Sequence, residues 1–232
     1  MTMCARHFVL ALFAALVVAS PARAHHPGAD LDRVMRSKEY YFQPVDKAAP
    51  SFELATAEGQ RVSLADFSDQ VVVLHFVYAR CPDVCPLHAE KLAEVQEMIR
   101  RTPMQDSVQF ISVTTDPQAD TPDVLASYGP NHGLDAANWR FLTIRPGQDE
   151  ATTRALAEAF GHKFLKGEGG YQTHGVVTHV IDRRGRWAAN FHGLEFASVN
   201  LVLYLNGLVN KPAGAAEEPE PGWWERLQSL FD

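Results

Sequence analysis

An apolar run at residues 71–78, interrupted only by His75, ends three residues before the first of two closely spaced cysteines, and this junction constrains the fold more than any other part of the chain. The run is Val-Val-Val-Leu-His-Phe-Val-Tyr, and Cys81-Pro82-Asp83-Val84-Cys85-Pro86 follows it. Such a run predicts a strand that is buried on both faces of a sheet. Apolar residues then recur at helical spacing, so a helix is predicted to begin directly after the second cysteine. The two thiols therefore lie where a buried strand ends, which suits soft-metal or redox chemistry.

Strand and helix patterns alternate along the rest of the chain. A hairpin around Glu58-Gly59 precedes the buried strand, and a second hairpin surrounds Arg183-Arg184-Gly185. This order predicts one α/β domain over residues 50–210, with a central mixed β-sheet flanked by helices and an N-terminal β-hairpin. The remaining predicted strands are 108–113, 139–144, 176–181 and 186–191. The predicted helices are 86–101, one that opens at Asp120-Thr121-Pro122, 149–160 and 198–209.

The beginning of the chain has the pattern of an export signal. Arg6 and His7 precede a 12-residue apolar run, and Ala22-Arg23-Ala24 supplies small residues at the cleavage positions. We therefore predict a signal peptide over residues 1–24 and a periplasmic or otherwise exported protein. The alternative is an uncleaved membrane anchor, although the run is short for a bilayer span. Residues 25–49 are polar and predict an extended segment that lies loosely over the domain.

Charge and cysteine content narrow the classes of function. The leader holds two arginines, no acidic residue and Cys4, so the exported chain has 19 basic and 28 acidic residues and a formal charge of −9. This charge argues against nucleic acid as a partner. Cys81 and Cys85 then remain as the only cysteines. Because the loop between them is tiny, a disulfide there would add little stability, which favours a reactive or ligating role.

The end of the chain differs in composition from the domain. Residues 211–222 are rich in Ala, Glu and Pro and predict a linker. Residues 223–232 predict a short amphipathic helix, whose large side chains offer a contact to a membrane surface, to another protein or to the domain itself. These side chains are Trp223, Trp224, Leu227, Leu230 and Phe231.

The prolines shape the cysteine loop. Each Cys-Pro step disfavours helical dihedrals at the cysteine, and Pro86 fits the first helical position, so Cys85 is predicted as the N-cap. A thiolate at this place faces unpaired backbone N–H groups, which predicts a lowered pKa for Cys85. The two sulfur atoms are expected to come close enough either to form a disulfide or to hold a metal ion.

A metal ion bound by two thiolates needs a further ligand, and His174 is the best candidate among the histidines. It follows the glycine-rich stretch 166–170 and precedes the strand at 176–181, from which it reaches the cysteine loop only if the two strands are neighbours. The other histidines near these elements have different expected roles. His75 is expected in the core, His179 as a packed residue, and His192 at a strand end without an assigned role. His88 follows Cys85 at helical spacing, which leaves two positions open: one that faces the site and, as the favoured one, a position on the helix surface.

Three groups of residues share a pattern with a known family. They are Phe76 to Pro86, Val113-Thr114-Thr115-Asp116-Pro117 with Asp120-Thr121-Pro122, and Thr173 to Val177 ahead of Asp182 to Gly185. Together they resemble the Sco/SenC family, thioredoxin-like copper-binding proteins that help to assemble cytochrome c oxidase. The resemblance covers residues 49–210. It implies a thioredoxin-like fold and copper, as Cu(I) or Cu(II), ligated by Cys81, Cys85 and His174. An aspartate often precedes the family's histidine, whereas Thr173 does so here.

Two functions follow from the resemblance. The first is delivery of copper to an accepting protein such as a cytochrome c oxidase subunit. The second is a thiol–disulfide oxidoreductase that keeps a partner's copper-site cysteines reduced and is itself served by a thiol reductant protein. Three residues between the cysteines, rather than two, favour metal binding over redox catalysis. The spacing of the cysteines does not clearly match that of a peroxidase of peroxiredoxin type. A role as a copper or redox sensor is a further open hypothesis.

Overall fold

The computed structural model describes residues 29–166, 172–173 and 175–210 of the 232-residue chain. Its helices are α1 (Ala29–Lys38), α2 (Val84–Arg100), α3 (Pro122–Asn131), α4 (Thr152–Ala159) and α5 (Ser198–Asn210). The first five strands are β1 (Phe42–Ala48), β2 (Glu53–Thr56), β3 (Arg61–Ser63), β4 (Val71–Val77) and β5 (Val108–Thr114). The other five are β6 (Trp139–Thr143), β7 (Leu165–Lys166), β8 (Gln172–Thr173), β9 (Val177–Ile181) and β10 (Arg186–His192).

Eight of the strands form one mixed sheet in the order β1-β10-β9-β4-β5-β6-β2-β3. The three central strands β4, β5 and β6 are parallel, and β9 joins β4 in antiparallel register. Every residue of β4 and of β5 is buried, as expected for central strands whose two faces are both covered. The predicted mixed sheet and its central strands are confirmed.

Successive residues of β4 pack on opposite sides of the sheet, because side chains alternate along a strand. Val71, Val73 and Val77 belong to one hydrophobic core, and Val72, Leu74 and Phe76 belong to the other. The first core is completed by α2 and α5, through Leu92, Val95, Ile99, Leu201 and Leu205. The second includes Leu156 and Ala157 of α4. Helices therefore flank both faces of the sheet, as predicted.

The two predicted hairpins are confirmed. Strands β2 and β3 pair antiparallel at one end of the sheet, and Gly59 has a φ of 81° in the turn between them. That dihedral lies in the left-handed region, which glycine adopts without the steric cost of a Cβ atom. Strands β9 and β10 pair in the same way around Gly185, which has a φ of 74°.

The expected extended segment over residues 25–49 is wrong for its described part, which contains helix α1 and edge strand β1. Strand β1 pairs antiparallel with β10. Phe42 packs edge-on against Phe191 and Tyr204 at 5.4 and 5.0 Å between ring centroids, and Met35 is also buried. The Tyr204 hydroxyl donates a 2.7 Å hydrogen bond to the buried Asp32 carboxylate. A few buried side chains among polar neighbours therefore attach this segment to the domain.

Several expectations concern residues outside the described part of the chain. These are the signal peptide over 1–24, the linker over 211–222 and the amphipathic helix over 223–232. Among the helices that are described, none is both long enough and apolar enough to cross a bilayer.

Candidate metal centre

The two cysteines lie between the end of β4 and the first turn of α2. Cys81 is in the loop, where its backbone N–H donates to the Tyr78 carbonyl at 3.0 Å. Helix α2 begins at Val84 with Asp83 as its N-cap, so the prediction that Cys85 is the N-cap is wrong. Pro86 is the third helical residue instead of the first. Its missing N–H costs nothing there, because the first four N–H groups of a helix have no partner within the helix.

Both thiols are free and buried, with 8% of Cys81 and 3% of Cys85 exposed. The Cys85 thiol donates a hydrogen bond to the Cys81 sulfur, which also accepts from the backbone N–H groups of Asp83 and Cys85. Burial raises the pKa of Cys81, but these hydrogen bonds outweigh burial and lower it. Burial and the bond donated to Cys81 raise the pKa of Cys85 far above its usual value. The predicted lowering of the Cys85 pKa is therefore wrong, and the acidic thiol is Cys81.

The two thiols should differ in their rate of alkylation. Since its pKa is lowered, Cys81 holds a larger fraction of thiolate than an ordinary cysteine at the same pH. Its reaction with iodoacetamide should therefore begin at a lower pH than that of an ordinary cysteine. At pH 8 we expect Cys81 to be modified more than about tenfold faster than Cys85, as followed by mass spectrometry. The same reaction in denaturant is the control, where both thiols should react alike. Equal native rates, or faster modification of Cys85, would contradict the assignment.

A buried carboxylate attaches the cysteine loop to the neighbouring strand. Asp120 is 2% exposed, and its oxygens accept the Ala79 N–H at 3.1 and 3.2 Å and the Thr114 hydroxyl at 2.5 Å. Burial is the main cause of its raised pKa. On the surface, Arg80 donates to Asp116 at 2.7 Å. The loop is thus held both by a buried hydrogen-bond network and by an exposed ion pair.

Sequence reasoning placed Asp120 only at the opening of a helix, and helix α3 does begin there, with Thr121 as its N-cap and Pro122 at the first position. The second role of Asp120, as an acceptor for the cysteine loop, depends on the parallel pairing of β4 with β5. Asp120 lies 41 residues after Ala79, the residue whose N–H it accepts. No local pattern relates two residues at that distance.

His174 lies outside the described residues, so its predicted role stays a prediction. The backbone that follows it is described, and β9 runs antiparallel to β4 with Leu74 opposite His179 and Val73 opposite Val180. The first residues of β9 therefore lie beside the carboxyl end of β4, where the cysteine loop starts. This fulfils the condition on which the prediction depended, namely that the two strands are neighbours.

The predicted roles of the other histidines are partly confirmed. His75 is buried in the core and hydrogen-bonded to Ser112. His179 is fully buried and bonds to His162 at 2.9 Å and to Asn190 at 2.8 Å. Burial is the main cause of its strongly lowered pKa. His192 is only partly buried and bonds to Gln43 at 2.8 Å.

The expectation for His88 is wrong, because its side chain is 2% exposed instead of lying on the helix surface. Its Nε2 atom forms a 2.8 Å hydrogen bond with Thr178 Oγ1. The sequence did contain a signal for this position. His88 precedes Leu92, Val95 and Ile99 at helical spacing and so shares the face of α2 that packs on the sheet.

The family model described as SCO1/SenC matches residues 43–201. The SCO1 protein homolog of Bacillus subtilis is 26% identical over 153 residues, which are 66% of this chain and 77% of that protein. The mitochondrial SCO2 homolog of Danio rerio is 38% identical over 77 residues, or 33% of this chain. The match spans only 28% of that mitochondrial relative.

Solved structures share the fold. BsSco, described as a member of the Sco family of cytochrome c oxidase assembly proteins with a disulfide switch, aligns with a TM-score of 0.62 and 22% identity, over 72% of this chain and 96% of that chain. ScoI of Bradyrhizobium japonicum, solved with copper bound, aligns with a TM-score of 0.57 and 23% identity, over 69% of this chain and 99% of that chain. The predicted thioredoxin-like fold is confirmed.

Proposed function

This chain belongs to the SCO1/SenC family, and from that membership we propose that it is an exported protein that binds one copper ion and delivers it to a copper enzyme. The acceptor proposed is the copper site of cytochrome c oxidase, because BsSco is described as a member of a family that assembles this enzyme. The proposed ligands are Cys81, Cys85 and His174. Copper is here the cargo of the protein.

The two free thiols carry the proposal, because the Cys85 thiol is hydrogen-bonded to the Cys81 sulfur. Their sulfur atoms are already close together, so a metal ion can be bound with little rearrangement of the backbone. Cys81 is the more acidic thiol and provides the first thiolate, and binding displaces the proton of Cys85. Thiolates favour Cu(I), whereas an imidazole suits either oxidation state of copper.

The location of the thiols suits transfer as well as binding. They lie in a loop and a first helical turn at the edge of the sheet, next to the exposed side chain of Arg80. Because the two cysteines are only 8% and 3% exposed, a partner exchanges its own ligands for these one at a time only when the loop opens. Within residues 29–166, 172–173 and 175–210 no three His, Cys, Asp or Glu side chains are arranged to hold a metal ion. His174 stays the proposed third donor.

Copper binding by the wild-type protein and by His174→Ala is the direct test. We expect the reduced wild-type protein to bind one Cu(I) per chain in competition with a chromophoric chelator. The His174→Ala variant should bind at least about tenfold more weakly, since an imidazole ligand is lost. His192→Ala is the matched control, because that histidine is also at a strand end but bonds to Gln43. It should bind like the wild type.

Two results would contradict this proposal. Unchanged affinity in His174→Ala would remove His174 from the ligand set. Absence of copper binding by the reduced wild-type protein would remove the function as a whole. The first result is measured on the variant and the second on the wild-type protein, so the two failures can be distinguished.

A thiol–disulfide oxidoreductase is the second candidate, and the opposite pKa shifts of the two thiols favour it. The Cys81 thiolate would attack a partner disulfide and release one partner thiolate. Cys85 would then lose its proton and attack the mixed disulfide, which leaves a Cys81–Cys85 disulfide and a reduced partner. An external thiol reductant would restore the dithiol. Rapid disulfide reduction by His174→Ala, together with weak copper binding by the wild type, would favour this candidate.

A further inference from the structure

A row of buried polar side chains crosses the domain beneath the cysteine loop. Trp139 Nε1 donates to Ser112 Oγ at 3.0 Å, and Ser112 Oγ bonds to His75 Nε2 at 2.5 Å. The ring of His75 meets that of His88 edge-to-face, with 4.7 Å between the ring centroids. The His88 ring then bonds to Thr178 Oγ1 at 2.8 Å. The row thus connects strands β6, β5 and β4 with helix α2 and strand β9.

The hydrogen bond at the end of this row occupies a place where an apolar side chain would ordinarily pack. His88 shares its helix face with Leu92, Val95 and Ile99, and Thr178 is fully buried. Burial of polar groups costs free energy unless they are hydrogen-bonded, so apolar packing would be the simpler way to stabilise this contact. A hydrogen bond differs from apolar packing in that it fixes a direction and a distance.

The bond joins the two elements that flank the proposed copper site. His88 lies three residues after Cys85 and on the same buried face of α2. Thr178 is the second residue of β9 and lies four residues after His174. The two partners are 90 residues apart in the sequence. Along the chain, the cysteine helix and the beginning of this strand are thus far apart, and the side-chain bond connects them directly.

Backbone pairing leaves the beginning of β9 without a ladder contact to β4. The paired residues of β4 and β9 run from Val72–Ile181 to Leu74–His179 and stop there. Thr178 and Val177 lie beyond this ladder and pair only with β10, opposite Phe191 and His192. The bond between His88 and Thr178 is thus a side-chain connection from the cysteine side of the sheet to this strand end.

We propose that His88 and Thr178 are positioning residues that set the distance between the two thiols and the third copper ligand. The inference rests on the proposed function, since it takes His174 as that ligand. His88 acts through its bond to Thr178 and does not itself bind the ion. Loss of the bond lets the beginning of β9 shift relative to α2 and weakens the site, although no ligand residue is removed from the chain.

Single and double substitutions test this coupling. His88→Leu removes the ring nitrogens and keeps an apolar side chain, and Thr178→Val removes the hydroxyl group with almost no change in shape. Both variants should bind Cu(I) about tenfold more weakly than the wild type. This is the lower end of the loss in metal affinity that follows when a residue supporting the ligands is replaced. The double variant should bind no more weakly than either single variant, because one shared bond is lost in all three. His88→Gln keeps a polar nitrogen at a similar reach and should restore part of the affinity.

Gln96→Leu is the matched control for general effects on the helix. Gln96 is buried on α2, and its side-chain amide bonds to the Asp135 carbonyl and to Asn138 at 2.8 and 2.7 Å, away from the cysteines. This variant should lower the melting temperature without a change in copper affinity. The electron paramagnetic resonance spectrum of the Cu(II) form gives a second readout. It should change in His88→Leu and in Thr178→Val but stay unchanged in Gln96→Leu.

The outcomes separate this inference from the proposed function. Wild-type affinity and an unaltered spectrum in both His88→Leu and Thr178→Val would overturn the positioning role, even if both variants were less stable. Thr178→Val keeps the test valid if His88→Leu does not fold. Failure of the proposed function would instead be seen in the wild-type protein, which would then show no copper binding through Cys81 and Cys85.

Discussion

Replacement of Cys81 and Cys85 together by serine is expected to lower the affinity for Cu(I) by more than about a hundredfold. A serine hydroxyl is a hard oxygen donor that does not ionise near neutral pH, so it cannot replace a soft thiolate as a ligand for Cu(I). The loss should exceed that in His174→Ala, since two of the three proposed ligands are removed. Competition with a chromophoric Cu(I) chelator measures it.

A buried thioether sulfur outside the proposed site provides the matched control for the double serine variant. Met104 is 4% exposed and follows the far end of α2, where the Asn206 side-chain amide contacts its sulfur at 3.2 Å. Met104→Leu removes this sulfur and should leave copper binding unchanged. If the double serine variant bound copper with wild-type affinity, the ion would be held elsewhere on the chain. The proposed centre would then be wrong, although the family membership would stand.

Substitution of Gly129 by alanine should lower the unfolding free energy by about 2 kcal/mol, because overpacking a core costs up to roughly 3 kcal/mol and alanine regains about 1 kcal/mol over glycine in a helix. A Cβ atom at Gly129 would overlap the ring of Trp139, with Cε3 only 2.7 Å away and two further ring atoms closer still. Trp139 is 6% exposed and is held by its bond to Ser112 at 3.0 Å, so the ring cannot move aside. This penalty outweighs the gain of about 1 kcal/mol that alanine gives in a helix.

Gly207 is the matched control, because it is also a glycine within a helix. A Cβ atom there would meet the end of the flexible Leu31 side chain at 2.7 and 2.8 Å. Those methyl groups can rotate away, so Gly207→Ala should lose clearly less stability than Gly129→Ala. Chemical denaturation of the two variants beside the wild type measures the difference. An equal or smaller loss in Gly129→Ala would show that the Trp139 ring is not fixed.

The parts of the fold that could be predicted are those in which the sequence pattern is continuous. The runs at residues 71–78 and 108–113 are mostly apolar, with His75, Gln109 and Ser112 as their polar residues, and they form strands β4 and β5 within one residue of the expected ends. Helix α1 and strand β1 were missed because their burial rests on a few side chains, above all Met35 and Phe42. Single apolar residues among polar ones give no periodic signal, and only the partner strand β10 makes β1 a strand.

The candidate site could be predicted only as far as its residues lie in a local motif. The cysteine pair follows from the loop between Cys81 and Pro86. The direction of the Cys85 pKa shift could not be predicted, because it depends on burial and on a hydrogen bond to the other thiol. The contacts of Asp120 with the loop and of His88 with Thr178 join residues 41 and 90 positions apart. Such contacts depend on the tertiary fold.

The one-sided pairing of Val177 and Thr178 with β10 has a consequence for the release of cargo. The end of a strand that is paired on one side can fray, and local opening of this kind costs far less free energy than unfolding of the whole domain. Under the proposed function, His174 precedes this strand end, and local opening with loss of the His88–Thr178 bond would free it from the ion while the cysteine helix and the central strands stay folded. Unloading would then proceed through a small local fluctuation, and the emptied protein would remain ready to be refilled.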